Sequence, residues 1–357
     1  MGAQLHLGEH GHQNNRSIQA GWSGEALLSS PDDFYFGRRV LVTGGCGFIG
    51  SNLVKRLVAL GANVTAVDSL LPEYGGNLFN LECVRPKIWL SVTDLRDANA
   101  LTYLIQDQEI IFNLAGQVSH EDSMTDPLTD LDINCRSQAS LLESCRRHNP
   151  DARIVYASTR QVYGRPHYLP VDENHPPKPV DVNGINKLAA EQYHLLYHRA
   201  HGMWACALRL TNTFGPGQLI KHARQGFIAW FVRTALSGGT IQLYGGGQQQ
   251  RDLTYVDDAV DAFLLAAASD CANGEVFNVG GEQTTVAALA AILCELRPET
   301  KVESIPFPVE RLRIDIGDYV ASWDKIAARL GWRPRVPLRA GIERTLEYYR
   351  EYGQHYE

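Results

Sequence analysis

Three glycines, at positions 44, 47 and 50, have the spacing that lets a polypeptide backbone bind phosphate. Gly44 permits a tight turn, Gly47 lets the backbone approach a pyrophosphate, and Gly50 allows a helix to pack closely on the preceding strand. The amide N–H groups at the start of that helix would then face the negative charge of the phosphates. We therefore predict that this loop binds a dinucleotide.

Asp68 predicts which dinucleotide is bound. It lies 24 positions after Gly44, at the end of an apolar segment, where its carboxylate can accept hydrogen bonds from an adenosine ribose. The residues from Ser69 to Pro72 contain no Arg or Lys that could receive a 2′-phosphate. We therefore expect the cofactor to be NAD and not NADP.

Alternating strands and helices must position these residues. Hydrophobic periodicity predicts strands at 40–42, 63–67, 88–92, 110–114, 152–158 and 204–210. Helices are predicted after Gly47 and at 98–105, 128–147 and 183–200. Strands separated by helices indicate an α/β fold with a doubly wound, mostly parallel sheet, whose ligands bind at the carboxyl ends of the strands.

The composition of the chain changes after Leu210, where Gly- and Pro-rich segments break it into shorter pieces. We interpret this part as a smaller, interleaved C-terminal substrate lobe, because 253–268 has the pattern of a strand end and a helix that return to the first domain. The predicted organisation is a flexible N-terminal tail at 1–36, a nucleotide-binding domain at 37–213 plus about 251–270, and a substrate lobe at about 214–250 and 271–357.

Composition and charge argue against several classes of protein. The 357 residues carry a formal net charge of −7, so we expect no nucleic-acid partner. The sequence has no apolar run of about 18 residues, so we expect no membrane span. Seven scattered cysteines without a CxxC pair are typical of reduced thiols in a cytoplasmic protein. His6, His10 and His12 lie in a polar tail, and we expect no metal site there.

Further motifs follow the glycine loop in order: Asp94-Leu95, Asn113–Gly116, Ser158–Gly164, Leu208–Pro216, Gly247–Asp258, Phe277–Gly281 and Leu330–Pro334. With Thr43–Gly50, this set resembles the extended short-chain dehydrogenase/reductase family over roughly residues 37–350. The resemblance is to its NAD-dependent nucleotide-sugar epimerases and dehydratases in particular. It implies a Rossmann fold, a nucleotide-diphosphate sugar as substrate, and a homodimer that pairs through the helices at about 128–147 and 183–200.

The resemblance also assigns residues to the two ligands. Beside the three glycines and Asp68, it places the cofactor against Phe48, Ile49, Asp94, Leu95, Leu114, Ala115, Gly116 and Lys187. The substrate is expected at Gln117, Ser119, Arg160, Asn212, Arg251 and Arg313. Charge-assisted hydrogen bonds from arginine suit a diphosphate. Arg251 could instead pair with the adjacent Asp252, Arg313 could be a solvated surface charge, and Lys221–Gln225 could line the site or lie outside it.

Thr159 ends a predicted strand and places a hydroxyl where a sugar hydroxyl could share its proton. The alternative is a strand-terminal threonine that bonds only to the backbone. The family carries a tyrosine four residues before its active-site lysine, so that both project from one helix face. Lys187 matches that lysine, but the tyrosine position is Asn183. Tyr193 lies six residues past Lys187, on another face of the helix, and cannot substitute.

Asn183 leaves the acid/base chemistry open, because an amide can only hydrogen-bond and cannot titrate near neutral pH. Another group, such as His120, Thr159 with a water, or Lys187, could transfer the proton. Alternatively, the substrate presents a different hydroxyl, which Asn183 orients. In a third interpretation the site has lost catalysis and only binds NAD or a nucleotide sugar.

Arg160 and Gln161 follow Thr159, where the 4,6-dehydratases of the family carry an Asp-Glu pair. This difference disfavours elimination of water by the dehydratase route. Arg160 would suit a negatively charged sugar such as a uronate, or could pair with a neighbouring carboxylate. We predict an NAD-dependent, 4-epimerase-like enzyme that acts on a nucleotide-activated sugar through a transient keto sugar and NADH. The alternatives are a nucleotide-sugar dehydratase or decarboxylase, and a catalytically degenerate NAD- and nucleotide-sugar-binding protein.

Overall fold

A seven-stranded parallel sheet lies at the centre of this computed structural model, which describes residues 31–71, 74–222, 224, 226–309 and 314–356. Within these residues the strands are β1 (Arg39–Thr43), β2 (Asn63–Asp68), β3 (Ile88–Val92), β4 (Ile110–Asn113), β5 (Arg153–Thr159), β6 (Ala205–Leu210), β7 (Asn212–Phe214), β8 (Thr240–Tyr244), β9 (Gln250–Tyr255), β10 (Val276–Val279), β11 (Glu282–Thr285) and β12 (Lys301–Ile305). The central sheet has the order β10-β6-β5-β4-β1-β2-β3, and all of its pairings are parallel.

Helices cover both faces of this sheet. They are α1 (Pro31–Tyr35), α2 (Phe48–Ala59), α3 (Ala98–Leu104), α4 (His120–Thr125), α5 (Pro127–Leu131), α6 (Ser137–His148), α7 (Val182–His201), α8 (Phe227–Leu236), α9 (Val256–Ala268), α10 (Val286–Leu296), α11 (Asp324–Leu330) and α12 (Leu338–Tyr352). Short 3₁₀ turns occupy Leu78–Lys87, Arg160–Tyr163, Gly245–Gly247, Asp270–Ala272 and Gly353–His355.

The alternation of buried residues along β1 explains why both faces are covered. Val40 and Val42 pack in one apolar cluster with Leu53 of α2. Leu41 points to the other face and packs with Leu101 of α3. Both faces of a parallel strand are buried, and successive side chains point in opposite directions. The predicted doubly wound Rossmann fold is therefore confirmed.

One predicted helix is interrupted. Instead of a continuous helix at 128–147, α5 is followed by a π-helical turn at Asp132–Arg136 and then by α6. The wider turn contains Asn134, whose amide donates to Gln117 O (2.9 Å) and Asp130 Oδ2 (3.0 Å) and accepts from Gln117 N (3.2 Å). These contacts hold the turn against the chain after β4, and such turns frequently occur at functional sites. Hydrophobic spacing cannot predict this interruption.

The C-terminal part forms two small sheets beside the central one. β11, β9 and β7 make a three-stranded sheet, and β12 pairs with β8. After β9 the chain returns to the central sheet as α9, where the ring of Phe263 packs edge-on against the ring of Phe112 of β4. The boundaries of the two lobes stay a prediction.

All seven cysteines are unpaired thiols. Among the described residues, none of the helices combines the length and the apolar character needed to cross a membrane. Of the predicted flexible tail, residues 1–30 lie outside the described residues, and so do the three tail histidines.

Candidate active site

The carboxyl ends of the parallel strands border one cavity of about 640 Å³, which we call the cleft. It runs along the order of the strands, from β2 past β1, β4 and β5 to β6. Every site residue predicted from the sequence lines it except Arg313, which lies outside the described residues. We call the part at Gly44, Asp68 and Asp94 the glycine end, and the part at Thr159, Arg160 and Arg251 the arginine end.

The glycine loop has little room for any other residue. Gly44 adopts a φ of +67°, which favours glycine. A Cβ at Gly50 would lie 2.1 Å from the carbonyl oxygen of Gly44. Gly47 caps α2 in an extended conformation, so the first amides of that helix face the cleft. The loop therefore fits a pyrophosphate held by backbone N–H groups.

Asp68 is held in place by its neighbours in the loop. Its Oδ2 accepts a hydrogen bond from Cys46 N (3.0 Å) and its Oδ1 accepts one from Leu70 N (2.9 Å). Burial raises the pKa of this carboxyl, although the backbone donors oppose the shift. The amides of Gly47 and Ser69 also contribute to this environment, and the carboxylate lines the cleft, where ribose hydroxyls could donate to it. A Cβ at Gly76 would lie 2.6 Å from Asp68 Oδ1, a close approach that sequence reasoning missed.

Asp94 and Leu95 lie at the outer edge of the glycine end. Arg96, which sequence reasoning missed, pairs with Asp94 at 2.6 Å and lowers the pKa of that carboxyl. Leu95 is buried and presents an apolar wall suited to an adenine ring.

Thr43 joins β1 to β4 at the point where the strand order reverses. Its Oγ1 accepts from Leu114 N and Ala115 N (both 3.1 Å) and donates to Asn113 Oδ1 (3.0 Å). Ligands of doubly wound sheets bind at this reversal point. A Cβ at Gly116 would lie 2.7 Å from Asn134 Oδ1 and 2.8 Å from Lys187 Nζ, so only glycine leaves room for the lysine.

Lys187 reaches the cleft from α7 as a buried cation. Its Nζ donates to Ala157 O (3.2 Å) and lies 5.1 Å from the centre of the Tyr156 ring. Burial lowers the pKa of Lys187 to about 8, while the carboxylate of Asp130 opposes the shift. The ammonium therefore keeps hydrogens for a ligand hydroxyl in a region of low dielectric constant.

Asn183 lies in the wall of the cleft with 3% of its surface exposed. Its Nδ2 donates to Gln117 O (2.9 Å) and lies 3.2 Å from Asp130 Oδ2. Asp130 also accepts from Asn134 (3.0 Å) and Asn186 (2.7 Å), so one buried carboxylate binds three amides. Both N–H hydrogens of Asn183 are used in this network, which leaves only its oxygen for a ligand.

Gln117 and Ser119 line the cleft, but their polar groups serve the loop itself. The Gln117 amide donates to Ser119 O (2.8 Å), and Ser119 Oγ caps α4 by accepting from Asp122 N (3.1 Å). Asp122 lies 3.3 Å from Arg224, which lines the cleft. Of the segment Lys221–Gln225, positions 223 and 225 are outside the described residues.

Thr159 ends β5, and its Oγ1 accepts from Gln161 N (3.3 Å). The hydroxyl hydrogen is still available, so the backbone bond and a bond to a ligand are compatible. His120 lies nearby: its Nε2 is 2.9 Å from Gln161 Nε2, and its Nδ1 is 3.0 Å from Asp181 Oδ2. Sequence reasoning named His120 but missed Asp181, although an aspartate ahead of a predicted helix is a recognisable N-cap.

Arg160 is the less paired of the two arginines at the arginine end. Its Nη2 donates to Asn212 Oδ1 (3.2 Å) and its guanidinium lies 5.2 Å from the centre of the Tyr319 ring. Its Nη1 is buried without a hydrogen-bond partner, and it forms no ion pair with any described carboxylate. Burial lowers the pKa of this group. The charges of Asp252, Asp315 and Asp181 oppose this shift, so neighbouring carboxylates act on Arg160 electrostatically without a direct ion pair among the described residues.

Arg251 is held by the backbone. Its Nη1 donates to Gln250 O (2.7 Å) and Gly317 O (2.6 Å), and its Nη2 lies 3.7 Å from Asp315 Oδ1. Burial lowers the pKa of Arg251 to about 10, with the nearby charge of Arg160 adding to the shift. Its ion-pair partner is thus Asp315 and not the adjacent Asp252. Two cations at one end of the cleft make a site for an anionic group.

No group of three or more His, Cys, Asp or Glu side chains within the described part of the chain could hold a metal ion.

Comparison with known proteins matches this chain to one family. The model of the NAD-dependent epimerase/dehydratase family matches residues 40–280. A UDP-glucose 4-epimerase of Mycolicibacterium smegmatis is 34% identical over 322 residues, which cover 88% of this chain and 100% of that protein.

Two solved structures are similar in fold as well as in sequence. The UDP-glucose 4-epimerase of Thermotoga maritima with UDP-glucose has a TM-score of 0.81 and 31% identity, covering 88% of this chain and 99% of that one. The dTDP-glucose 4,6-dehydratase of Streptomyces venezuelae with NAD bound has a TM-score of 0.81 and 30% identity, covering 89% and 99%.

Proposed function

Because this chain belongs to the NAD-dependent epimerase/dehydratase family, we propose that it is a 4-epimerase-like enzyme acting on a nucleotide-activated sugar. The expected cofactor, NAD, is that of the family. The observation that carries the proposal is the continuity of the cleft. Thr159 and Lys187 line the same cavity as the glycine loop and Arg251, so a sugar bound between the two ends would meet both ligand sites.

The residues at the glycine end fit NAD. The loop from Gly44 to Gly50 would hold the pyrophosphate, Asp68 the adenosine ribose, and Leu95 the adenine. Gly116 and Lys187 would border the nicotinamide ribose, because the lysine passes directly over that glycine. When bound, NAD would accept a hydride from the sugar and return it to the other face of the ketone.

The arginine end would hold the nucleotide diphosphate and orient the sugar. Arg251 is anchored by two carbonyls and offers its remaining N–H groups, and Asn212 lies beside it on β7. Arg160 presents a cation without a carboxylate partner among the described residues. Thr159, also at the arginine end, would donate its hydroxyl hydrogen to the sugar. Arg313, outside the described residues, stays a predicted phosphate contact.

A uronate is a second candidate for the sugar, and Arg160 favours it. The buried Nη1 of Arg160 has no hydrogen-bond partner, and an anionic acceptor on the ligand would offset the cost of that unsatisfied donor. A carboxylate at C6 of the sugar would do so, and the reaction would then be epimerisation or decarboxylation of a nucleotide uronate. The dehydratase alternative is the less favoured one, because Arg160 and Gln161 replace its acid pair.

The test is the response of bound NAD to candidate sugars. We expect the purified protein to carry NAD, and UDP-, dTDP-, GDP- or CDP-hexoses or UDP-glucuronate to reduce it transiently, with inversion at C4 detected by NMR of the product. Solvent deuterium at C5 or C6 would indicate a dehydratase, and release of carbon dioxide a decarboxylase. Bound NAD that no nucleotide sugar reduces would contradict the epimerase and favour a binding protein.

We also propose that the protein is a homodimer. Large apolar side chains on α5 and α7 are exposed, among them Leu128 (72%), Ile185 (54%) and Leu196 (45%). Such faces commonly mark an interface, and a second copy of this chain is the occupant we expect. Sedimentation should give a dimer for the wild type and a monomer for the double variant Leu128→Lys, Leu196→Lys. A monomeric wild type at micromolar concentration would contradict the proposal.

A further inference from the structure

We propose that His120 and Asp181 form a proton-transfer dyad that acts on the sugar hydroxyl in place of the absent tyrosine. The inference rests on the proposed function, because it assigns the acid and base of that reaction. It also selects one of the groups that the sequence left open. The evidence is the geometry of three side chains that come from three separate elements.

Asp181 is the fixed member of the pair. Its side chain is 2% exposed, and its Oδ1 accepts from Gly184 N (2.6 Å) at the start of α7. Its Oδ2 lies 3.0 Å from His120 Nδ1. The carboxylate is thus positioned by the helix cap and has one oxygen left to orient the imidazole.

His120 is the exposed member. It is the first residue of α4, its side chain is 36% exposed, and it lines the cleft together with Thr159 and Lys187. With the proton on Nδ1, which faces Asp181 Oδ2 at 3.0 Å, the imidazole has its lone pair on Nε2. That lone pair faces Gln161 Nε2 (2.9 Å) and becomes available as a base once a ligand hydroxyl displaces the amide. The pair therefore has the fixed carboxylate and the accessible ring that general acid–base catalysis needs.

The charge on Asp181 supports this tautomer. Burial alone would raise the pKa of Asp181, but the hydrogen bond and charge of His120, the amide of Gly184 and the charge of Arg160 together lower it. The carboxylate consequently stays ionised across the neutral range. An ionised partner stabilises the imidazolium that forms when His120 takes up a proton.

Gln161 suits both protonation states of His120. Its Nε2 lies 2.9 Å from His120 Nε2, while its Oε1 is buried without a partner. An amide can donate N–H to a neutral imidazole or, after rotation, accept N–H from an imidazolium. A glutamate at this position would favour the imidazolium alone. Gln161 also donates its backbone N–H to Thr159 Oγ1 (3.3 Å), so one residue contacts both the imidazole and the hydroxyl at the end of β5.

The two other polar groups of α7 in the cleft are engaged elsewhere. Asn183 uses both N–H hydrogens inside the Asp130 network and does not titrate. Lys187 lies against Gly116 and Ala157 O, beside the end of the cleft that fits the cofactor. His120 is thus the titratable group best placed for the sugar.

The proposed step balances within the active site. His120 Nε2 takes the proton of the sugar hydroxyl, so the O–H bond breaks and an N–H bond forms. The oxygen electron pair becomes the second bond of the ketone as the carbon-bound hydrogen leaves with its own pair to oxidised NAD. On the return the ketone regains that hydride on the opposite face, and the imidazolium returns its proton to the oxygen.

The pH dependence follows from the groups that face His120. These are Asp181 from α7 and the neutral Gln161 from the turn after β5, with Glu121 and Asp122 on α4 itself and Arg224 3.3 Å from Asp122. The base must be unprotonated to start the reaction. The single-turnover rate of NAD reduction should therefore rise with pH on the acid side.

The experiment compares His120→Gln and Asp181→Asn with the control His148→Gln, an exposed position at the end of α6. Asn at 181 keeps the cap acceptor for Gly184 and removes the charge. We expect His120→Gln to lower the single-turnover rate by about 10²- to 10⁴-fold and to remove its acid-side pH dependence. Asp181→Asn should lower the single-turnover rate by a smaller factor. In a further variant, His120→Ala, added imidazole should restore part of the single-turnover rate.

Binding measurements separate this role from a structural one. NAD content and the dissociation constant of UDP, measured by calorimetry, should stay within about twofold of wild type in both variants. If His120→Gln kept the wild-type rate and pH profile, the dyad would be overturned while the epimerase proposal would stand. The same conclusion would follow if His120→Gln lost its NAD and imidazole did not restore activity to His120→Ala. Failure of the wild type itself to reduce NAD with any nucleotide sugar would overturn both.

Discussion

The two ends of the cleft are built in different ways. The glycine end is made of backbone: the loop from Gly44 to Gly50 offers amides, and its few side-chain contacts, such as that of Asp68, bind neighbouring amides. The arginine end and the adjoining dyad are made of side chains from β5, β7, β9, α4 and α7. Backbone geometry tolerates few substitutions, whereas a set of side chains can exchange one chemical group for another. The difference is consistent with a chain that carries the glycine loop but has Asn183 at the position where the resemblance predicts a tyrosine.

The first prediction would break the glycine end. Gly50→Ala places a Cβ 2.1 Å from Gly44 O, so the loop must move. We expect at least about a 100-fold loss of NAD affinity by calorimetry, roughly 2.7 kcal/mol. Gly353→Ala is the control, since no atom would lie within 4 Å of its Cβ. Unchanged NAD affinity in Gly50→Ala would mean that the loop is not the phosphate site.

The second prediction concerns Lys187, where the two ends meet. Lys187→Ala should weaken NAD retention and lower turnover by about 10²- to 10⁴-fold, because the cation beside both ligands is lost. Lys178→Ala, at an exposed position, should leave both unchanged. Full activity in Lys187→Ala would show that the assignment of this lysine is wrong.

The buried ammonium also predicts a pH effect on the stability of the protein without ligands. Burial lowers the pKa of Lys187 from 10.5 to about 8, so between these values the unfolded chain binds more protons than the folded one. Stability should therefore rise with pH across this window, by at most about 1.4 kcal/mol per pH unit. The difference in free energy of unfolding between wild type and Lys187→Met, measured with denaturant, should rise with pH across this window, because the titration of other buried groups such as Cys46 and Cys145 is common to both proteins. Parallel curves would contradict a depressed pKa.

The fourth prediction tests whether Asn183 is a lesion that costs activity or part of the wall of the cleft. Asn183→Tyr removes the hydrogen bonds to Gln117 and Asp130 from a buried network. We expect a loss of about 1 to 3 kcal/mol in the free energy of unfolding and no gain in activity. Asn99→Ala, on the exposed surface of α3, serves as the control. A faster enzyme with tyrosine at 183 would mark the asparagine as a lesion and would argue against the dyad.

The smallest expected effect concerns which ligand group Arg160 binds at the arginine end. Arg160→Gln should weaken binding of UDP-glucuronate by about tenfold more than binding of UDP-glucose, because only the uronate has a carboxylate for the guanidinium. Calorimetry with both ligands measures the difference, and Arg199→Gln on the exposed end of α7 is the control. Equal losses for the two ligands would place Arg160 at the diphosphate instead.

The spacing of residues along the chain was enough to predict the features that depend on short stretches of sequence. The glycine turn, the strand ending in Asp68, the parallel α/β order and the family with its NAD cofactor all follow from residues close together in the chain or from motifs in sequence order. The roles of the individual site residues stay proposals. The interruption of the predicted helix at Asp132–Arg136 was missed, because it depends on contacts of Asn134 with Gln117 and Asp130 that hydrophobic periodicity does not encode.

The sequence by itself thus determined the fold, the family and its NAD cofactor, since hydrophobic periodicity and glycine turns depend on short-range conformational preferences and the family motifs follow one another along the chain. Only the tertiary structure decided how the other end is paired. It placed Asn183 in the Asp130 network, left Arg160 without a direct ion pair among the described residues, and brought His120 within 3.0 Å of Asp181. The physical reason is that hydrogen bonds and ion pairs act over a few ångströms in space, and no spacing along the chain specifies which distant side chains come that close.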